Sequence, residues 1–152
     1  MKITPRLMKF MLNVYPPYLG AGVKVDYFSE DWREAKVSMK LTWYNRNAVG
    51  TQFGGSLYSM VDPHLMLMLM RILGDDYIVW DKSAQIDFIK PGKGKVHSII
   101  RIPEERIDEI YEKTKDGKKF LPEFEIEVLD ESDKIISRIR KTLYIRKKRV
   151  RD

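Results

Sequence analysis

The sequence predicts an α+β protein in which a curved antiparallel sheet wraps around one long buried helix. Several segments alternate apolar and polar side chains, which is typical of strands with one buried face. One stretch, over residues 54–73, is apolar on almost every side, and a helix of that kind must be surrounded by protein. The chain of 152 residues is long enough to form one core without covalent cross-links. We therefore expect a single domain over residues 1–152.

The composition restricts both the compartment and the chemistry. The chain has no cysteine, which excludes a disulfide framework, a thiolate nucleophile and a cysteine-based zinc site. Residues 1–6 lack the apolar run and the cleavage site of a signal peptide. The longest apolar run, over residues 65–70, is far too short to span a membrane. We expect a cytoplasmic protein that does not insert into membranes.

Basic residues are in excess, with 28 Lys and Arg against 22 Asp and Glu and a formal net charge of +6. The excess lies mainly in two runs, residues 138–141 and 146–149. Clustered lysine and arginine neutralise phosphates, so these runs fit nucleic acid or a phosphorylated small ligand. No helix-turn-helix pattern or aromatic stacking surface accompanies them, which makes nucleic acid the less favoured partner. A solvated strand edge and tail is the simpler interpretation.

The first third of the chain predicts a helix followed by two strands. The helix begins with a capping hydroxyl at Thr4 and keeps apolar residues at helical spacing until Pro16 stops it. Apolar and polar residues then alternate over 23–27 and again over 35–43. We expect these segments to be half-buried antiparallel strands, with all their apolar members on the buried face.

The apolar stretch predicts one helix over residues 54–73, which ends at Gly74. Its leucines and methionines have high helix propensity and are not β-branched. About 20 helical residues would extend roughly 30 Å. Pro63 is unusual inside such a helix, because proline removes a backbone hydrogen bond and is expected to kink the helix.

The second half of the chain alternates again and predicts four more strands and a short helix. The short helix carries a shared apolar face formed by Ile107, Ile110 and Tyr111, and Gly117 closes it. Because these strands are available to cover the long helix, one curved sheet satisfies every pattern. The expected strands lie near 77–89, 95–102, 120–129 and 135–145, and the short helix lies over 103–115.

One group of residues suggests chemistry, namely the segment 47–55 together with Asp62 in the helix that follows. Paired glycines at a helix start leave backbone N–H groups uncovered and let a ligand approach closely. These amides also lie at the positive end of the helix dipole, where a developing oxyanion would be stabilised. A carboxylate in so apolar a helix is costly unless it lies at a cleft or a subunit interface. Such carboxylates often act as general bases or nucleophiles.

These residues also have purely structural interpretations. The double glycine could let the helix start pack tightly against a strand, and Asn47 alone is typical of a turn. Asp62 could be a structural carboxylate that bonds to a partner chain. His64 and His97 are isolated and lack metal-ligand spacing, so we expect no metal site and no cofactor.

The spacing N-x-x-G-T-x-x-G-G-x-x-x-x-x-x-D resembles that of the phenylacetyl-CoA and medium-chain acyl-CoA thioesterases of the hotdog superfamily. The resemblance implies that Asn47 orders the attacking water and that an amide at Gly54 polarises the thioester carbonyl. It also implies that Asp62, reaching over from the partner subunit, is the base or nucleophile. Further segments look like those of a bacterial hotdog branch of unknown function, so the resemblance covers nearly the whole chain. These segments are residues 13–20, 77–82 and 141–146.

The chain departs from the thioesterase pattern at two positions. Phe53 stands where a histidine usually precedes the double glycine, and Lys90 stands before Pro91 where a small hydroxyl residue is frequent. We expect Lys90 and Lys93 to meet the phosphates of coenzyme A. The residues that we expect on the substrate-binding surface are Thr51, Phe53, Gly55, Ser59, Lys90 and Lys93.

Two functions fit these patterns. The first is an enzyme that hydrolyses an acyl-CoA thioester with water, without a metal or a redox cofactor. The second is a binding protein that holds an acyl thioester or another apolar carboxylate without turning it over, and Phe53 favours this alternative. In either case exposed edge strands predict a homodimer or a homotetramer with the site at the subunit interface.

Overall fold

The computed structural model describes residues 3–149, which form five helices and six strands. The helices are α1 (Pro5–Asn13), α2 (Pro16–Ala21), α3 (Gly54–Ser59), α4 (His64–Leu73) and α5 (Glu104–Thr114). The strands are β1 (Val23–Phe28), β2 (Glu34–Met39), β3 (Tyr77–Phe88), β4 (Val96–Arg101), β5 (Glu123–Asp130) and β6 (Ile135–Lys147). No helix within residues 3–149 has both the length and the apolar character that crossing a membrane requires.

All six strands belong to one curved antiparallel sheet with the order β1-β2-β4-β5-β6-β3. β6 is the longest strand and pairs with β5 on one side and with β3 on the other. β1 and β3 form the two edges of the sheet. The α+β class and the curved antiparallel sheet predicted from the sequence are confirmed.

The inward faces of the strands and the helical segment of residues 54–73 share one hydrophobic core. This arrangement covers the apolar residues that the sequence placed on almost every side of the segment. Members that are at most 1% exposed include Met60, Val61, Leu65, Met68 and Leu69 from the helical segment and Val25, Ile100, Ile139, Leu143 and Ile145 from the strands.

The central helical segment is interrupted. The sequence predicts one continuous helix over residues 54–73, whereas the structure separates α3 from α4 by a turn at residues 60–63. Pro63 has no N–H group to donate to the preceding turn, so the helical hydrogen bonding is broken where the proline stands. Asp62 therefore lies in this turn, rather than within a regular helix.

A second short helix follows α1. Pro16 ends α1 as expected, but it also begins α2, which the sequence pattern did not predict. Proline suits the first turn of a helix because its fixed φ is helical and its missing N–H would have no partner there. Gly22 ends α2 with a φ of 78°, a left-handed conformation that glycine adopts easily.

Two apolar residues that the alternation predicts to be buried face solvent instead. A β-bulge between Val25 and Tyr27 turns Tyr27 outward, where it is 45% exposed, and Phe28 takes the buried position. β2 ends at Met39, so Trp43 lies beyond the paired strand and is 81% exposed. Alternation indicates a strand, but it does not show where pairing shifts or stops.

One side chain attaches the end of α1 to the edge strand β1. The Nδ2 of Asn13 donates to the carbonyl oxygen of Val25 at 3.0 Å, and its Oδ1 accepts from the N–H of Val25 at 2.8 Å. The carboxamide thus makes both hydrogen bonds that a residue of a neighbouring antiparallel strand would make.

Candidate functional site

Asn47 shapes the loop that leads into α3. Its Oδ1 accepts from the N–H groups of Val49 at 3.1 Å and Thr51 at 3.0 Å. Its Nδ2 donates to the Oγ1 of Thr51 at 2.9 Å and to the carbonyl oxygen of Gln52 at 3.4 Å. A carboxamide has two donor hydrogens and two acceptor positions, so the loop occupies all four.

The double glycine at the start of α3 permits close contacts with two aromatic rings. A Cβ added to Gly54 would lie 2.9 Å from Cζ of Phe88, and one added to Gly55 would lie 2.6 Å from Cε1 of Phe53. These contacts support the structural interpretation, in which the glycines allow close packing at the start of α3. The N–H groups of Gly54, Gly55 and Ser56 donate to no acceptor among residues 3–149.

A cavity of ≈ 570 Å³ lies beside this loop. Leu57 and Phe88 are among its apolar lining residues, and the segment 89–93 lines it as well. Several of the site residues predicted from the sequence line this cavity together, namely Asn47, Thr51, Gly54, Lys90 and Lys93.

Other selected residues belong to a second cavity of ≈ 480 Å³, whose lining includes Phe53, Gly55 and Ser59. The Oγ of Ser59 donates to the carbonyl oxygen of Gly55 at 2.8 Å, so it is already engaged within α3. Asp62 is in the lining of neither cavity. Within a single chain the predicted site residues therefore do not share one cavity. Some line the first cavity, others line the second, and Asp62 lines neither.

Asp62 is held by Lys141 of β6. The Nζ of Lys141 donates to Asp62 Oδ1 at 3.2 Å and also to the backbone carbonyl of Asp62. The same Nζ forms an ion pair with Oδ1 of Asp81, in β3, at 2.9 Å. The Lys141 side chain is fully buried, whereas that of Asp62 is 46% exposed. A buried ammonium is costly to desolvate unless it is paired, and here three oxygens pair with it.

Lys141 is a site residue that the sequence interpretation missed. The basic run 138–141 predicts a solvated strand edge, which is wrong for Lys141. β6 is an inner strand, and Lys141 shares its inward face with the buried residues Ile139 and Leu143. The alternation itself contained the signal, because a lysine two residues from each of two core positions must point into the core.

The cluster around Lys141 shifts the pKa values of two neighbours. Burial raises the pKa of the Asp81 carboxyl, the hydrogen bond and charge of Lys141 oppose this, and the charge of Asp62 adds to it. Burial also raises the pKa of the Tyr58 hydroxyl, and the hydrogen bond and charge of Asp62 raise it further. The centroid of the Tyr58 ring lies 5.8 Å from Nζ of Lys141. Ionisable groups from α3, the turn, β3 and β6 are therefore electrostatically coupled.

The two histidines lie apart from one another. His64 is fully buried, its Nε2 lies 2.9 Å from the hydroxyl of Tyr18, and burial lowers its pKa to about 3. The Nε2 of His97, in β4, lies 3.4 Å from Oδ1 of Asp133. Across the part of the chain that the structure describes, no three His, Cys, Asp or Glu side chains are grouped to hold a metal ion.

One curved antiparallel sheet around a covered helical segment defines a protein of the hotdog fold. The chain belongs to the family described as a domain of unknown function (DUF4442), whose model matches residues 4–145. No curated protein matches the chain in sequence.

Several solved structures are similar to the chain. A Pseudomonas aeruginosa protein of unknown function, described as a probable thioesterase, has a TM-score of 0.80 at 17% identity, over 96% of this chain and 99% of that chain. A Chlorobaculum tepidum protein of unknown function has a TM-score of 0.75 at 17% identity, over 95% and 98% of the two chains. A Haemophilus influenzae thioesterase has a TM-score of 0.69 at 14% identity, over 97% and 93%. At these identities the likeness is one of fold.

Proposed function

We propose that the protein hydrolyses an acyl-CoA thioester, with Asp62 as the general base or nucleophile. The amides at the start of α3 are the proposed donors to the oxyanion. The observation that carries the proposal is the half-exposed carboxylate of Asp62, fixed by a buried ammonium at the break in the central helical segment. The fold adds support, since similar structures include proteins named as thioesterases.

The proposed chemistry needs one carboxylate and one set of N–H donors. In the general-base route Asp62 takes a proton from water, and the water oxygen attacks the thioester carbon. The carbonyl oxygen becomes an oxyanion that accepts from the N–H groups of Gly54 and Gly55. Breaking of the C–S bond releases the thiolate, which takes up the proton that Asp62 removed from water. In the nucleophilic route the carboxylate attacks the carbon itself and the C–S bond breaks, which releases the thiolate and leaves a mixed anhydride; water then hydrolyses this anhydride to the free acid and regenerates the Asp62 carboxylate.

In this proposal Asn47 supports the site mainly through its loop. All four hydrogen-bonding positions of its carboxamide are used by residues 49–52, so it can order a water only by releasing one of them. The loop in turn holds Thr51 and the start of α3 beside the larger cavity.

The proposed active unit is a homodimer, which can pair again into a tetramer. β3 is an edge strand, and Phe88 at its end is 59% exposed although it packs against Gly54. Pairing of two β3 edges would remove both edges from solvent and cover this apolar surface. The proposed site combines the Asn47 loop and Gly54 of one chain with Asp62 of the other.

The proposed substrate is an acyl derivative of coenzyme A because two lysines are among the lining residues of the larger cavity. Lys90 and Lys93 line this cavity together with apolar side chains, so phosphates and an acyl or pantetheine segment would each find a suitable surface. A cytoplasmic location is part of the proposal, since acyl-CoA is an intracellular substrate class.

The proposal is tested by incubating the protein with a panel of acyl-CoA thioesters and a thiol-reactive dye. Asp62→Asn keeps the shape of the side chain but removes its basicity, so it should lower the rate about 100- to 10,000-fold. Asp26→Asn, which changes an aspartate of β1 that pairs with Lys24, is the matched control and should hydrolyse as the wild type does. Unchanged hydrolysis by Asp62→Asn would show that the catalytic assignment is wrong.

A binding protein without turnover is the second candidate. The ring of Phe53 lies against the backbone of Gly55, where it offers no hydrogen bond to water or to a thioester. In this case isothermal titration with acyl-CoA should show binding, while the thiol-reactive dye detects no release of coenzyme A.

A further inference from the structure

We infer that Lys141 is a positioning residue that orients the Asp62 carboxylate for catalysis and balances its charge against Asp81. The inference deepens the proposed hydrolysis and rests on it. Lys141 is in the lining of neither cavity described above, so its effect on a bound substrate would be exerted through Asp62.

The hydrogen bonds of Lys141 fix Asp62 at two points. One ammonium proton goes to the backbone carbonyl of Asp62 and another to its Oδ1 at 3.2 Å. A bond to the main chain and a bond to the side chain of the same residue together restrict the rotamer of that side chain. The same Nζ also lies 2.9 Å from Oδ1 of Asp81, so the ammonium is held between two carboxylates.

Stability alone is a poor reason for an ammonium at this position. The side chain of Lys141 has no accessible surface, so its ammonium group carries the full free-energy cost of desolvation. Buried ion pairs can often be replaced by apolar residues of similar volume without loss of stability. Ile139 and Leu143 occupy the adjacent inward positions of β6, so apolar residues would suit this part of the core if Lys141 and its carboxylate partners were replaced together.

The groups that face Lys141 come from four elements. Asp62 faces it from the turn, Asp81 from β3 and the Tyr58 ring from α3, while the buried His64 of α4 is uncharged at neutral pH. The cluster thus contains two carboxylates and one ammonium. Removing the ammonium and removing the second carboxylate must therefore change the proton affinity of the cluster in opposite directions.

The first test is the pH dependence of thioester hydrolysis. In Lys141→Met the loss of a cation within 4 Å should move the acid limb of the kcat/KM profile upward by about one to three pH units. In Asp81→Asn the loss of a neighbouring negative charge should move that limb downward. Arg140→Met is the matched control, because Arg140 is the preceding residue of β6, is 53% exposed and pairs with Asp87. Its acid limb should stay at the wild-type pH.

A purely structural role for Lys141 would lower the amount of folded protein without displacing the acid limb. Acid limbs that stay in place, or that move in the same direction in Lys141→Met and Asp81→Asn, would overturn the inference. If Lys141→Met does not fold, the test rests on the acid limb of Asp81→Asn. An acid limb at the wild-type pH in that variant would reject the inference.

The second test needs no hydrolysis and separates this inference from the proposed function. The carboxyl carbon of Asp81 is titrated by NMR in the wild type and in two variants. Lys141→Met should raise the pKa of Asp81 further, and Asp62→Asn should lower it, because Lys141 and Asp62 act on it in opposite senses. Unchanged titration of Asp81 in both variants would refute the coupling. If the titration shifts as expected but the wild type releases no thiol from any acyl-CoA, the coupling stands and the catalytic role of Lys141 falls with the proposed function.

Discussion

Phe53 holds its aromatic ring so close to Gly55 that a Cβ on that glycine would lie 2.6 Å from the ring. The Phe53 side chain is nevertheless 55% exposed, so it covers backbone on one side and faces solvent on the other. An apolar ring excludes water from the surface that it covers and forms no hydrogen bond with a thioester. The related thioesterase pattern has a histidine at this position, whose ring adds polar nitrogen atoms at similar size.

Phe53→His should therefore increase the rate of acyl-CoA hydrolysis. One additional hydrogen bond of about 1.4 kcal/mol in the transition state corresponds to about a tenfold gain in rate. The measurement is thiol release by the purified variant, compared with Phe53→Leu, which removes the aromatic ring without adding a polar group. Equal rates in both variants would mean that the missing imidazole does not limit activity.

The sequence located the candidate site only in part, and the reason is the distance along the chain. Asn47, Gly54 and Asp62 stand within one loop and the helical segment after it, so their spacing could be compared with a known motif. Lys141 is 79 residues from Asp62, and no local pattern connects them. Their contact depends on where β6 lies in the sheet, which alternation does not reveal.

At the scale of elements, strands were predicted more accurately than the central helix. All six strands were expected near their observed positions, because alternation marks one buried face wherever a sheet is covered on one side. The prediction of one continuous helix was wrong, because the missing N–H of Pro63, from which we expected only a kink, coincides with a full break between α3 and α4. The resulting turn is what leaves Asp62 half exposed while Met60 and Val61 beside it stay buried.

Pro63→Ala should lower turnover without lowering stability. Alanine restores the N–H and has high helix propensity, so α3 and α4 can join and carry Asp62 away from its present position. A displacement of about 1 Å at a reacting group costs on the order of 100-fold in rate. Thiol release measures the rate, and thermal unfolding followed by circular dichroism measures stability.

The variant Pro17→Ala provides the control, because Pro17 lies in α2, away from the turn. A Pro63→Ala variant with wild-type turnover would show that the break in the helical segment is not needed to place Asp62.

At the scale of the whole molecule, we expect the two edges of the sheet to determine how chains associate. β3 pairs with β6 along almost its whole length on one side, and no strand within residues 3–149 lies on its other side. Its inward residue Ala84 is exposed in the single chain. Because an uncovered edge favours pairing with another strand, assembly through β3 is the arrangement that we expect.

Light scattering at micromolar concentration should give twice or four times the chain mass of 18.0 kDa. Ala84→Lys places a charge beside the expected interface and should yield monomers, since edge lysines oppose strand pairing. Ser132→Lys adds the same charge in the exposed turn between β5 and β6 and should leave the mass of the assembly unchanged. A wild-type protein that is monomeric under these conditions would contradict the expected assembly.

The carboxamide of Asn13 has a consequence for the size that assemblies can reach. It occupies both backbone hydrogen-bonding groups of Val25 on the β1 edge, so a strand from another molecule cannot pair there without displacing it. A sheet that is open at both edges can add molecules without limit and grow into a fibre, whereas a sheet open at one edge closes after a single pairing. With the β1 edge blocked at Val25 and pairing expected only through β3, we expect growth along the hydrogen-bonding direction to end with two chains.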